Sequence, residues 1–404
     1  MRPYQEDPYQ TRFQSVVSAA YGDRVQLAET YFYPTSGGQP CDTGLLGFAG
    51  GRAAVTEVGL EDGQIWHRLE GPIPEPGTPV DGTLDWPRRY RHMQRHTAQH
   101  LLSGAFVQLD PAFETRSVSL TGPVCTLDLG GGPTETDLDR AETLVNEVCY
   151  RNLEVRSFEV DDTEVGHYPL RRPPKVRGRV RLVQMGDFEL SACGGTHLRG
   201  TAEALPVKLL RLERVKGGLA RVHFRAGWEA LEDFGLKHNL VTALALGFNT
   251  QPAEIGARVE ALKAELQTAQ RALTDARRRL AQGLAEALLT EAGDGLVVHV
   301  LDAADADLLG PLAGALVNRP ETAALLAARQ AERAQLLFAR AEGVQADMRE
   351  ALQVALAALE GRGGGSAARA QGSGKAEGLV GALEAAGAHV RASRGRSGSQ
   401  MAQT

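Results

Sequence analysis

Apolar and polar positions along the chain change period repeatedly, and each change predicts a different kind of element. Over residues 1–90 the apolar positions fall in short β-branched or alternating runs at Phe13–Ala19, Arg24–Thr30, Ala53–Val58, Gln64–Leu69 and Val80–Leu84, separated by Gly, Pro and Asp clusters. Such runs read as the strands of a small barrel. From Met93 the period lengthens, because Met93, Ala98, Leu101, Leu102, Ala105, Phe106 and Leu109 recur at three- and four-residue steps, which predicts a helix. Up to Gly227 the pattern is mixed. A strand over Ser117–Leu129, a helix over Thr136–Asn152 capped by Thr136 or Asp137, strands near Val155–Val160 and Phe188–Leu190, and a hairpin joining Val207–Leu212 to Arg221–Phe224 through Lys216-Gly217-Gly218 follow one another.

From Ile255 the residues Val259, Leu262, Leu266, Ala269, Leu273, Ala276 and Leu280 alternate four- and three-residue steps, the seam of a coiled coil. It would serve a homodimer or an intrachain helical hairpin, and Gly283 weakens its end. Residues 295–360 combine strand candidates at Leu296–Leu301 and Ala334–Ala339 with Ala/Leu-rich helices. The glycine-rich stretch Gly361–Lys375 reads as a loop whose N–H groups, with interspersed Arg and Lys, can lie along phosphates. A helical segment at Glu377–Ala386 and a tail disordered from Ser393 complete the chain. The expected architecture is α+β and multidomain: a β-barrel over 1–90, an α/β domain over 91–235, a helical connector over 236–290 and a small C-terminal α/β domain over 291–404.

Composition adds constraints. The chain has 404 residues with 43% apolar content, enough for several cored domains. Cys41, Cys125, Cys149 and Cys193 show no framework spacing, which points to a reducing, cytoplasmic compartment. The N-terminus lacks an apolar core segment and no run long enough to span a bilayer occurs, so no membrane partner is expected. The formal charge of −6 hides clustered bases: Arg171, Arg172, Lys175, Arg177, Arg179 and Arg181 with no acid between them, and a second cluster over Lys208–Arg225 broken only by Glu213. Patches of this kind suit phosphate contacts in an otherwise acidic protein.

The chemistry centres on Arg95-His96-Thr97-Ala98-Gln99-His100, which sets two imidazoles one helical turn apart. Such a pair grips a metal ion but needs further ligands. Cys193 and His197, in Ser191-Ala192-Cys193-Gly194-Gly195-Thr196-His197, can supply them, the glycines permitting a tight turn. Spacing alone leaves His92/His96 open as the helical pair. Near the N-terminus, Ser36, Gly37 and Gly38 allow close backbone approach to a ligand, and Gln39 offers a donor and an acceptor.

His96-Thr97-Ala98-Gln99-His100-Leu101-Leu102, Cys193-Gly194-Gly195-Thr196-His197 and Phe32-Tyr33-Pro34-Thr35-Ser36-Gly37-Gly38-Gln39 together resemble the editing domain of alanyl-tRNA synthetases, and above all the free-standing AlaX trans-editing proteins. Gly361–Lys375 is similar to the glycine-rich loop of the synthetase's C-terminal domain, the mark of the long form. The resemblance implies zinc on His96, His100, Cys193 and His197, in preference to His92. It also implies hydrolysis of the ester in tRNA(Ala) mischarged with serine or, second, glycine. Thr97 and Thr196 would then be catalytic, and Ser36, Gly37, Gly38 and Gln39 would bind substrate. Arg177, Arg179, Arg362, Gly363, Gly364 and Lys375 would contact tRNA. With the first predicted strand starting at Phe13, no aminoacylation activity is expected. Two features sit uneasily with the pattern. Relatives often place Asn before the Thr that follows the cysteine motif, where this chain has Leu198-Arg199-Gly200-Thr201. Four protein ligands also describe a closed site, whereas catalytic zinc keeps a position open.

Overall fold

After a short helix α1 (Pro3–Glu6), the alternating runs become strands β1 (Arg12–Tyr21), β2 (Arg24–Leu27), β3 (Gly44–Phe48), β4 (Gly51–Glu61), β5 (Gln64–Glu70) and β6 (Pro79–Leu84). In the computed structural model, which describes residues 1–174 and 177–401, these strands form a closed barrel in the order β1-β2-β5-β4-β3-β6. The pattern of the sequence does not reveal β3, because Gly44 and Gly47 dilute its β signal. Gly44 is there for proximity: a Cβ would overlap the Thr83 carbonyl, and β3 pairs with β6 at that point.

Helix α2 (Trp86–Leu109) starts before the expected boundary at residue 90. Asp85 caps it by accepting from Arg88 N at 3.2 Å, and Pro87 sits in the first turn, where its missing N–H costs nothing. The strand expected over Ser117–Leu129 is two, β7 (Thr115–Ser119) and β8 (Cys125–Leu129), parted by a turn around Gly122-Pro123. In α3 (Glu135–Tyr150) the cap is Thr134 rather than Thr136 or Asp137. Thr134 Oγ1 accepts from Asp137 N at 3.3 Å while the Asp137 carboxylate accepts from Thr134 N at 2.9 Å, a reciprocal capping box. Strands β9 (Val155–Asp161), β10 (Arg179–Met185) and β11 (Glu189–Ala192) make one sheet in the order β11-β10-β9. Strands β12 (Val207–Val215) and β13 (Leu219–Ala226) join β8 and β7 in a second. The apolar face of α2 (Met93, Leu101, Leu102, Phe106) packs with Leu127, Val145, Val222 and Phe224 in a fully buried core. A buried ion pair ties the barrel to α2. Arg89 Nη2 lies 2.5 Å from Asp42 Oδ2 and donates to Tyr31 O, and Asp42 Oδ2 accepts from Tyr33 N at 2.6 Å. Breaking such a pair leaves an uncompensated buried charge, at a cost of about 3–5 kcal/mol, so the Tyr31–Asp42 segment is fixed against the histidine helix.

The chain divides into two units, Met1–Leu244 and Ala245–Thr404, with helix α4 (Trp228–Gly247) running through the division. Helix α5 (Ile255–Glu291) passes through Gly283 without a break, and Leu266, Leu273 and Leu280 of its seam are exposed. Then come β14 (Leu296–Leu301), α6 (Leu309–Val317), β15 (Ala323–Gln330), β16 (Arg333–Arg340), α7 (Met348–Ala358), β17 (Arg362–Gly365), β18 (Arg369–Lys375) and α8 (Leu379–Met401). The strands form one sheet, β14-β15-β16-β18-β17, in which β14 and β15 are parallel. The expected glycine-rich loop is thus a hairpin at the sheet edge. The tail expected to be disordered from Ser393 continues α8 to Met401. Arg394 helps hold it, donating to the carbonyls of Asp294, Gly295 and Glu321. Lys175 of the basic stretch and residues 402–404 lie outside the described residues. Among the described residues no helix is long and apolar enough to cross a membrane.

Candidate metal centre

The i, i+4 spacing on α2 and the turn after β11 bring His96, His100, Cys193 and His197 together, one ligand atom from each lying within 4.8 Å of all the others. Cys193 Sγ is 3.3 Å from Nε2 of both His96 and His197. Sulfur and nitrogen at the corners of a tetrahedral zinc site stand ~3.5 Å apart, given Zn–S near 2.3 Å and Zn–N near 2.0–2.1 Å, so the spacing suits such an ion. His92 does not join this group. Burial and the neighbouring Arg95, Arg88 and Arg89 push its imidazole down to about 3, and its Nδ1 has no hydrogen-bond partner.

Each ligand ring is held from behind. His96 Nδ1 donates to Gln39 Oε1 at 2.7 Å, His100 Nδ1 pairs with Ser191 Oγ at 2.8 Å, and His197 Nδ1 faces Thr97 Oγ1 at 3.3 Å. Supports of this kind fix tautomer and ring orientation, leaving the opposite nitrogen free to ligate. Burial pushes the Cys193 thiol up, but His96, His197 and His100 outweigh it and hold the thiol well below its ordinary value. Burial likewise opposes charge on His100, yet the Cys193 thiolate and Glu189 raise it to about 9. Burial and His96 push His197 down to about 3. A thiolate ringed by imidazoles is the donor set of a soft or borderline divalent cation, zinc foremost.

The cluster opens on a cavity of about 470 Å³ lined by His96, Gln99, His100, Arg171, Arg172, Arg181 and the Ser191–Gly195 stretch, with Tyr33, Ser36 and Gly37 opposite. Of the residues nominated for substrate, Ser36 and Gly37 therefore line it, whereas Gln39, Thr97 and Thr196 are fully buried behind it. Gln39 Oε1 also accepts from Thr196 N at 3.2 Å, and its Nε2 donates to Thr196 Oγ1 at 2.8 Å. Gly38, behind Gly37, gives its carbonyl to Leu120 N at 3.3 Å. Thr97 Oγ1 accepts from Leu198 N at 3.2 Å. Where Asn is absent before Thr201, the Thr201 hydroxyl bonds Leu153 N and Val148 O.

Sequence reasoning missed Gln99 and Ser191, and it counted Arg181, which is buried, among the bases suited to phosphate contacts. A signal existed for Ser191, a hydroxyl two residues before Cys193 at the end of β11. Gln99 Nε2 donates to Ser103 Oγ at 2.9 Å, and its amide oxygen meets no donor among the described residues. Of the basic residues, Arg171 is paired with Glu189 at 3.0 Å, Arg177 is exposed, and Arg179 is two-thirds exposed beside Glu159. Arg362, Gly363 and Gly364 are exposed on β17, and Lys375 pairs with Glu360 at 2.6 Å.

Residues 180–223, which contain the Cys193–His197 turn, match the family model described as the threonyl and alanyl tRNA synthetase second additional domain. The chain is homologous to the alanyl-tRNA editing protein AlaX-L of Pyrococcus horikoshii, with 29% identity over 377 residues that cover 90% of this chain and 92% of that protein. It is also 34% identical over 287 residues to the alanine–tRNA ligase of Thermococcus kodakarensis, covering 69% of this chain. The chain spans about a third of that ligase, 31% of its length. Among solved structures, the C-Ala domain of Aquifex aeolicus alanyl-tRNA synthetase overlaps 24% of this chain and 89% of its own, at 22% identity and a TM-score of 0.23, too weak a likeness to bear on the fold.

Proposed function

We propose that the chain is a trans-editing hydrolase that deacylates tRNA(Ala) mischarged with serine and, second, glycine, using zinc on His96, His100, Cys193 and His197. The observation that carries this reading is the convergence of those four ligand atoms, with His96, His100 and Cys193 lining a cavity, in a chain that shares nearly its whole length with an alanyl-tRNA editing protein.

Zinc, when bound, supplies Lewis-acid chemistry at an ester carbonyl. The chain's own residues do the rest. Gln39, Thr97 and Ser191 keep the rings aimed, and Thr196 locks Gln39. Their hydroxyl and amide groups act through the ligands rather than on the ester, which moves Thr97, Thr196 and Gln39 from substrate contact to support. Ser36, Gly37 and the Gly194-Gly195 backbone border the space for an aminoacyl group. Gln99 offers its amide oxygen to the hydroxyl of a seryl group. With alanine bound that oxygen stays unpaired, and a site built to hydrogen-bond a hydroxyl discriminates against the analogue lacking it. Arg172 on the cavity wall, with Arg177 and Arg179 of the same basic stretch, and Arg362 on the edge strand, with Gly363, Gly364 and Lys375 beside it in the hairpin, form the surface offered to the tRNA backbone. The exposed leucines of α5 suit a homodimer seam.

The deciding experiment compares hydrolysis of Ser-, Gly- and Ala-tRNA(Ala) by the purified chain, before and after chelation. Serine ester cleaved fastest, alanine ester spared and activity lost with the metal are the expected results. Equal rates for all three esters, or full activity in metal-free protein, would overturn the reading.

A further inference from the structure

The metal-binding turn is held by its backbone as well as by its ligands. Cys193, Gly194 and Gly195 are consecutive, and the carbonyl of each accepts from a side chain outside the turn. Arg181 Nη1 donates to Cys193 O and to Gly195 O, both at 2.9 Å, and Gln5 Nε2 donates to Gly194 O at 2.9 Å. The Arg181 carbonyl in turn accepts from Cys193 N at 3.1 Å. The two donors are linked, since Arg181 Nη2 reaches Gln5 O at 3.4 Å.

This arrangement is costly by itself. Arg181 is 8% exposed, its Nε has no partner, and among the described residues it forms no ion pair with a carboxylate. A buried guanidinium satisfied by carbonyls and no acid is poor stabilisation. Gln5 arrives on a segment fixed to the barrel and to β9. Tyr4 packs edge-on against Tyr33 at 5.3 Å, Arg2 Nη2 donates to Gly63 O at 3.0 Å, and the Met1 ammonium lies 3.1 Å from Glu159. Two glycines make the turn the most deformable part of the ligand set, and the donors meet it there.

We infer that Arg181, assisted by Gln5, is the positioning residue of the metal centre: it clamps the carbonyls of Cys193, Gly194 and Gly195 and so sets where the Cys193 thiolate and His197 imidazole stand. The first residues of the chain thereby take part in metal binding although none is a ligand. Groups that support metal ligands change affinity or activity by about 10–100-fold when removed.

The inference rests on the metal reading of the four side chains, and cobalt tests both separately. The full chain is loaded with Co²⁺, its visible ligand-field and thiolate charge-transfer bands are recorded, and affinity is measured by chelator competition for wild type, Arg181→Gln, Arg181→Lys and Gln5→Ala. Arg181→Gln should shift the bands and weaken binding by about tenfold or more. Arg181→Lys should recover part of the affinity, since an ammonium keeps the charge and can reach a turn carbonyl but lacks the planar fork that Nη1 and Nη2 use to bridge the turn and Gln5. Gln5→Ala, which removes the donor to Gly194 O and the acceptor of Arg2 N from a half-buried position, should weaken binding by a smaller factor and shift the bands in the same direction. If Arg181→Gln does not fold, Arg181→Lys and Gln5→Ala decide. Bands and affinity unchanged in both would overturn the clamp while leaving the metal reading intact. A wild-type chain that takes up no cobalt overturns both.

Discussion

The Cys193–His197 turn and the Arg362–Lys375 hairpin both place glycines among polar side chains, and both invite a ligand-binding reading. They differ in what the glycines make room for. A Cβ on Gly195 would overlap the His96 ring and come within 3.0 Å of Gln39 Oε1. The missing side chain there admits the His96 ring and its Gln39 support. In the hairpin, a Cβ on Gly363 would meet Gln371 O at 2.5 Å, Gly372 Cα at 2.6 Å and Leu356 Cδ1 at 2.9 Å, and one on Gly374 would meet Leu359 Cβ at 2.6 Å. Those glycines let two strands lie close to each other and to α7. Glycine content marks close approach; only the partner reveals whether that approach serves chemistry or packing.

The largest effect should come from Gly195→Ala. The added methyl has no flexible neighbour to displace, because His96 and Gln39 are both buried and hydrogen-bonded, so the turn itself must move. Loss of metal on dialysis, with affinity reduced on the order of 100-fold and deacylation falling with it, is the expected outcome. One full equivalent of zinc retained by the variant would show that the turn tolerates the shift and that the contrast is false.

Gly363→Ala should instead lower the unfolding free energy by about 1–3 kcal/mol, the usual range for overpacking, with zinc content unchanged. Gly364→Ala is its control. Nothing lies within 4 Å of that Cβ position, and exposed substitutions of this kind stay within about 0.5 kcal/mol. Denaturant titration with metal analysis separates them, and equal stability of the two variants would remove the packing explanation.

The same contrast explains what the sequence made legible. The four ligands stand out because two i, i+4 spacings coincide with ligand-type side chains, but choosing His100 over His92 needed the resemblance, since both lie four residues from His96. Only three dimensions show that Ser191 and the Cys193 turn stand against His100 and that His92 points elsewhere. Residue type in Gln39, Thr97 and Thr196 was suggestive, yet spacing says nothing of direction: Gln39 and Thr97 face His96 and His197, and Thr196 bonds Gln39. Strand β15 escaped notice because its Ala-Ala-Leu-Leu-Ala-Ala run is buried on both sides and lacks the alternation that marks a half-exposed strand. Strand β10 was hidden in the basic stretch, where Arg179 and Arg181 alternate with Val180 and Leu182.

A smaller effect should follow from Gln99→Leu, which keeps the cavity wall but removes the amide oxygen. Losing one neutral hydrogen bond costs about 0.5–1.5 kcal/mol, so hydrolysis of Ser-tRNA(Ala) should slow by roughly threefold to tenfold. Gly-tRNA(Ala), which carries no hydroxyl, should be much less affected, and zinc content should not change. An equal slowing of both esters would assign Gln99 to support of the helix rather than to the substrate.

The smallest effect expected belongs to the hairpin and asks whether it binds anything. If the edge strand contacts tRNA, its side-chain contribution is a phosphate contact by an unpaired cation, since Gly363 is committed to packing and Lys375 is paired with Glu360. Arg362, exposed and without an ion pair among the described residues, is the side chain best placed to make it. Each phosphate neutralised adds about 0.7–0.9 to the slope of log affinity against log salt concentration. Arg362→Gln should therefore flatten that slope by about one unit or less and weaken tRNA binding only modestly at low salt. The chemical step should be untouched, because phosphate contacts position the nucleic acid without reacting. Filter-binding or anisotropy titrations across a salt series read the slope directly. A slope identical to wild type would remove Arg362 from the interface, leaving Gly363 and Gly374 explained by packing alone.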